Sequence, residues 1–141
     1  MNAEEIRALV RESVDEIWNK GNLAAIDKVY AADYVDHDPS SPEPTRGREG
    51  VRKFITMYHS AFPDLRISME DMVCDGDKVV SRWVARGTHK GDLMGIAPTG
   101  KFVTTKGISV ARISGGLIAE EWENYDALGM LQQLGVVPSP G

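Results

Sequence analysis

The sequence predicts an α+β fold, in which a curved antiparallel sheet and N-terminal helices enclose a cone-shaped pocket. Three observations predict it. Apolar residues recur at helical spacing as far as Phe62. From Leu65 onward the spacing falls to about two, the period of a half-buried strand. Gly-containing turns then join the strand-like runs into a meander, and helices gathered on one side of such a sheet make an α+β fold.

The elements follow in order. Asn2 with Glu5 can cap a helix start. Ile6, Leu9, Val10, Val14, Ile17 and Trp18 share one face of that helix, and Gly21 can end it. Asn22 can restart a short helix through Leu23, Ile26, Val29 and Tyr30. The stretch from Asp36 through Pro39, Pro42 and Pro44 to Gly47 reads as a loop. Val51, Phe54, Ile55, Tyr58 and Phe62 mark a third helix, stopped by Pro63. Strands are expected over Leu65 to Cys74, Val79 to His89, Phe102 to Ile113 and Leu117 to Tyr125. Asp75-Gly76-Asp77 and Ser114-Gly115-Gly116 are the tight turns between them. A last helix, Ala127 to Leu134, stops at Gly135.

Size and composition bound the function. The 141 residues suit one domain, 1–141, with one core, and 42% hydrophobic and 26% charged residues are ordinary for a globular chain. Sixteen basic against 21 acidic residues give a net charge of -5, without a basic cluster. That argues against nucleic acid and against a polybasic membrane anchor. No apolar run is long enough to span a membrane. The acidic start Met1-Asn2-Ala3-Glu4-Glu5 gives no sign of a signal peptide, so a cytoplasmic setting is expected. Cys74 is the only cysteine and is expected to be a buried structural thiol. Three histidines without ligand spacing, and no Gly-rich phosphate cradle, give no metal and no cofactor expectation.

Strand alternation nominates the chemistry. Val79, Ser81, Trp83, Ala85 and His89 share one face, as do Ile118, Glu120, Trp122, Asn124 and Asp126. If both faces look inward, two tryptophans, a histidine and an aspartate line one cavity. Burial would move the Asp126 carboxyl up toward working pH and make it a general base, with His89 holding or relaying the proton. The plainer reading of Asp126 is an N-cap, because it immediately precedes a helix. Glu120 on that face would need a partner such as Arg82 or Arg112. Leu93, Met94 and Ile96 sit in a Gly-containing loop and suggest either a pocket lid or a dimer contact.

Four segments carry a family resemblance: Gly87-Thr88-His89-Lys90-Gly91, Gly116 to Asp126 running into Ala127 to Gly135, Tyr34-Val35-Asp36-His37-Asp38-Pro39, and Phe62-Pro63-Asp64-Leu65. In this order they resemble the SnoaL-like polyketide (ester) cyclases of the nuclear transport factor 2 superfamily, over roughly Ile6 to Gly135. The resemblance implies a cystatin-like α+β roll and a metal-free, cofactor-free intramolecular aldol cyclisation of a carbonyl substrate. It implies Asp126 as acid/base, with His89 and His37 as pocket histidines. Trp83, Trp122, Met94, Tyr34, Phe62 and Asn124 are the expected substrate-binding residues, and a small apolar carbonyl compound the expected ligand. A homodimer through the outer sheet face is also implied. Dehydratase, isomerase or epoxide-hydrolase chemistry in the same pocket is the alternative. A non-catalytic small-ligand-binding domain, in which Asp126 only caps its helix, is the other.

Overall fold

In the computed structural model, which describes residues 1–140, Asn2 opens the first helix as expected. Its side chain accepts the Glu5 N–H at 2.9 Å, and its own N–H donates to the Glu5 carboxylate at 3.4 Å. Helix α1 spans Ala3–Glu12. The chain then widens into a π-helical stretch, Ser13–Asn19, in which Lys20 N–H reaches Asp15 O at 3.2 Å. The apolar period of the sequence does not foretell this wider winding, which adds about one residue per turn. A 3-10 turn, Leu23–Ala25, and a one-turn α2, Ile26–Val29, replace the single short helix expected there.

The next element corrects the sequence reading. Tyr30 was expected to end a helix and Asp36 to begin a loop. Instead Tyr30–His37 is a strand, β1, with a short antiparallel partner β2, Thr45–Arg46. Its main partner lies far along the chain, so local pattern alone does not reveal it. Helix α3 runs Gly47–Ala61, starting earlier than its apolar stripe.

Strands β3 (Arg66–Asp75), β4 (Lys78–Thr88), β5 (Phe102–Ser114) and β6 (Leu117–Tyr125) form the expected antiparallel meander. The β5–β6 turn places Gly115 and Gly116 at φ 59° and 76°, a conformation that favours glycine. The sheet order is β2-β1-β6-β5-β4-β3, and β1 runs parallel to β6, which makes the sheet mixed. Helix α4, Ala127–Leu134, closes the chain, with Gly135 at φ 81° as its stop.

The register slips twice. Between β3 and β4, Met69 pairs with Trp83 but Asp71 pairs with Arg82, leaving Glu70 as an extra residue. Between β5 and β6, Ile113 pairs with Ile118 but Arg112 pairs with Glu120, leaving Ala119 as a bulge. A bulge reverses which side chains face inward beyond it. Ile118 is buried in the core; past Ala119 the inward residues are Glu121, Glu123 and Tyr125 rather than Glu120, Trp122 and Asn124.

The larger core cluster packs α1, the π-helical stretch and α3 on the concave face of the sheet. A smaller one joins Phe62, Leu93, Val103, Met130 and Leu134 at the α4 end. Cys74 is half-buried against the first cluster. No described helix is long and apolar enough to cross a membrane.

Candidate active site

The concave face of the sheet and the helices enclose a cavity of about 140 Å³. By the measure in which one water needs about 10–15 Å³, that is room for roughly ten waters, the scale of a small organic molecule. Val10, Ser13, Val14 and Trp18 line it from the N-terminal helix, and Val51, Phe54 and Tyr58 from α3. Trp18, Phe54 and Tyr58 pack edge-to-face or tilted, with centroids 5.0 to 6.1 Å apart. Ser81, Trp83 and Ala85 line it from β4. The Trp83 indole lies over Gly107 of β5, where a Cβ would come within 2.3 Å of the ring, and its N–H donates to Ser109 Oγ at 2.9 Å.

The polar groups converge where β1 lies beside β6. Tyr34 and Asp36 point in from β1, and Glu121, Glu123 and Tyr125 from β6. The Tyr34 hydroxyl donates to Glu121 Oε1 at 2.9 Å. Asp36 is 4% exposed, and its buried Oδ1 meets no N–H donor and no alcohol or phenol hydroxyl. Asp36 and Glu123 are in hydrogen-bond contact, so one of the two must hold a proton.

Burial is the largest influence on all three carboxyls. It pushes Asp36 up to about 6, against the opposing effect of its Glu123 contact. It pushes Glu121 up to about 8, helped by the charge of Asp36. Glu123 is driven well above the ordinary range by burial and then by its acidic neighbours Asp36 and Glu121. Glu121 and Glu123 keep some accessible area because they form cavity wall, yet they sit deep enough for desolvation to dominate. Near neutrality, then, Asp36 is the more ionised of the pair with Glu121, and burial and its acidic neighbours favour the protonated form of Glu123.

The residues nominated from sequence scatter. Trp83, Tyr34 and Phe62 line the cavity. Asp126 does not: it is the N-cap of α4, accepting the Gly129 N–H at 2.9 Å, and lies in an open groove on the outer side with Asn124. The reason is the bulge at Ala119, which turns Glu120, Trp122 and Asn124 outward. Trp122 stacks on His37 with centroids 5.5 Å apart, and His37 Nε2 lies 2.7 Å from Glu120 Oε2. Arg112 donates to the other Glu120 oxygen at 3.2 Å, one of the two partners anticipated.

His89 is fully buried behind Phe62, with centroids 5.5 Å apart, and does not line the cavity. Its Nδ1 accepts the Thr99 N–H at 3.2 Å, and its backbone pairs with Gly100 and Lys101, so it fastens the Gly-containing loop. Met94 is 63% exposed at φ 47° in the turn of that loop, while Leu93 beside it is fully buried.

Sequence reasoning missed Asp36, Glu121 and Glu123 as site residues. Asp36 stood inside a segment quoted for family likeness, but the strand that aims it was not foreseen. The signal for the glutamates was the alternation of β6 counted back from Tyr125 instead of forward from Ile118.

Helices on a curved sheet, enclosing an aromatic cavity with carboxyls at one end, define an α+β roll of the nuclear transport factor 2 type. The chain belongs to the SnoaL-like polyketide cyclase family, whose model matches residues 8–134. It is similar to TsrD from Streptomyces laurentii, at 28% identity over 97% of this chain and 99% of that one, with a TM-score of 0.87. A polyketide cyclase candidate from Acidithiobacillus ferrooxidans is 31% identical over 96% and 99% of the two chains, with a TM-score of 0.85. IdmH from Streptomyces antibioticus is 32% identical over 92% and 97%, with a TM-score of 0.79. No curated protein matches. Family and relatives together support a cyclase-type function on small molecules.

Proposed function

We propose that the chain is an acid–base enzyme that enolises a small carbonyl compound in this cavity and closes a ring by intramolecular aldol addition. The observation that carries the reading is the split among the carboxyls: Asp36 at about 6 beside Glu121 at about 8, in one aromatic-walled space. Groups whose environments push their pKa values apart are the natural base and acid of such a site.

Asp36 takes the proton from the carbon next to the carbonyl. Tyr34 already donates to Glu121 Oε1, which leaves the glutamic acid proton on Oε2 to meet the developing enolate oxygen. The enolate carbon attacks a second carbonyl of the same molecule, forming the new carbon–carbon bond. The resulting alkoxide takes back the proton held by Asp36. Trp83, Phe62, Tyr58 and Trp18 shape the cavity and keep water from the carbanion.

The test needs only enolisation. In D2O, 2-tetralone exchanges the hydrogens next to its carbonyl, and NMR follows the loss of signal. The wild type is expected to accelerate exchange, and Asp36→Asn to lose about 10²–10⁴-fold of that acceleration. Binding of the enol mimic 2-naphthol without any acceleration of exchange would leave a ligand-binding domain and overturn the enzyme reading.

The outer sheet face supports a homodimer in the same proposal. Val73 and Val80 are cross-strand partners, 59% and 40% exposed, and Ile108 nearby is 51% exposed. Contiguous exposed apolar residues of this kind mark interaction surfaces. Sedimentation equilibrium should return twice the chain mass, and Val80→Glu should return it to the mass of one chain.

A further inference from the structure

We propose that His37 is a positioning residue for the base: from the outer face of the sheet it clamps the end of β1 to β6, directly behind the acidic end of the cavity. The inference rests on the reading of Asp36 as the base and adds the part that holds it in place. Asp36 and His37 are neighbours on β1, so their side chains leave the strand on opposite faces. Asp36 lines the cavity, whereas His37 does not.

The strand that carries Asp36 is held by a short ladder. Its consecutive pairs with β6 are Val35 with Glu120, Asp36 with Glu121 and His37 with Trp122, because the register slips between Tyr30 and Val35. On its other side β2 pairs only Arg46 with Val35 and Thr45 with Asp36. The outer face adds what so short a ladder lacks. The His37 ring stacks on Trp122 at 5.5 Å, and its Nε2 lies 2.7 Å from Glu120 Oε2. The other oxygen of Glu120 accepts from Arg112 Nε at 3.2 Å. Arg112, Glu120 and His37 together tie β5, β6 and β1 behind the site. Exposed ion pairs contribute little singly, and more when several are joined in a network.

The charge of His37 also reaches the carboxyl it positions. Burial raises Asp36; its Glu123 contact and the charge of a protonated His37 ring oppose that rise, and Asp38 adds to it. Asp36 in turn acts on Glu121 of β6 and Tyr34 of β1. Among the described residues, Arg86 of β4 is the one Lys or Arg lining the cavity, and it forms no ion pair with Asp36. His37 is therefore placed both to hold the base and to favour its ionised form.

The experiment follows 2-tetralone exchange against pH in the wild type, His37→Phe and His37→Gln. Phe keeps a ring on Trp122 and loses the hydrogen bond; Gln keeps an N–H for Glu120 and loses the charge. His37→Phe is expected to lower the limiting rate by about tenfold, since misplacing a catalytic group costs rate, and to move the acid limb to higher pH, since the cation is gone. His37→Gln is expected to recover the limiting rate while its acid limb stays at higher pH. Affinity for 2-naphthol should be unchanged in both variants, because His37 lies outside the cavity, and that binding also shows that both variants fold. An unchanged limiting rate or an unmoved acid limb in His37→Phe overturns the inference. So does a limiting rate that His37→Gln fails to recover, or loss of 2-naphthol binding in both variants. If Asp36→Asn keeps the wild-type exchange, the base reading falls and takes this inference with it. If Asp36→Asn loses the exchange and His37→Phe does not, this inference alone falls.

Discussion

Asp36 and Glu121 share one cavity wall, yet their carboxyls titrate on opposite sides of neutrality. Both are raised first by burial. Asp36 is eased by the proton it shares with Glu123, while Glu121 is pushed further by the charge on Asp36. The base must be ionised, so exchange should rise with pH through about 6. The acid must keep its proton, so exchange should fall again through about 8. A pH series of the 2-tetralone reaction should therefore be bell-shaped, and Glu121→Gln should remove its alkaline limb. Asp126 behaves as a different kind of residue. Asp126→Ala should cost about 1 kcal/mol in urea unfolding, the usual loss for an N-cap, and leave the exchange rate unchanged. The cap role of Asp126 was legible from its position before a helix, whereas its acid/base role was read from the strand alternation, which the bulge at Ala119 reverses. Asp36 was not legible as a site residue, because an aspartate between a tyrosine and a proline-rich turn carries no local sign of burial.

Elements with local partners were read closely. Strand β6 and helix α4 have the expected bounds, since a Gly-Gly turn and a glycine stop punctuate them. Strand β1 and the π-helical turns were not read, for two physical reasons. The partner of β1 is far along the chain, and a wide helical turn leaves the apolar stripe nearly unchanged. Strand β6 shows the narrowest failure: one extra residue at Ala119 inverted the reading of every side chain after it. Pairing of β4 with β5 sets a further constraint, because Trp83 faces Gly107 and occupies the space of a side chain. Gly107→Ala should therefore displace the indole, shift the tryptophan fluorescence and cost about 1–3 kcal/mol by overpacking.

At the scale of the molecule, the raised carboxyls make stability depend on pH in an unusual direction. Glu121 has an ordinary value of 4.5 and a folded value of about 8. Below the ordinary value both folded and unfolded chains hold the proton, and the stabilising contribution is fully present. Between the two values only the folded chain holds it, so stability falls as pH rises, by at most about 1.4 kcal/mol per pH unit for each carboxyl. Urea unfolding across that window should show this decline, and Glu121→Gln should make it shallower by the share of that one carboxyl, leaving the contributions of Asp36 and Glu123.

The parallel pairing of β1 with β6 also governs how the site comes into being. Tyr34 and Glu121, which share a hydrogen bond, are 87 residues apart, and everything from β2 to β5 lies between them. Contacts across so long a loop form slowly, because the chain must first give up the entropy of closing it. The local meander can assemble early, whereas the acidic cluster exists only once the first strand docks on the last. On refolding, ligand binding should therefore return later than the sheet signal, and a chain arrested at the meander would be folded in appearance and empty of chemistry.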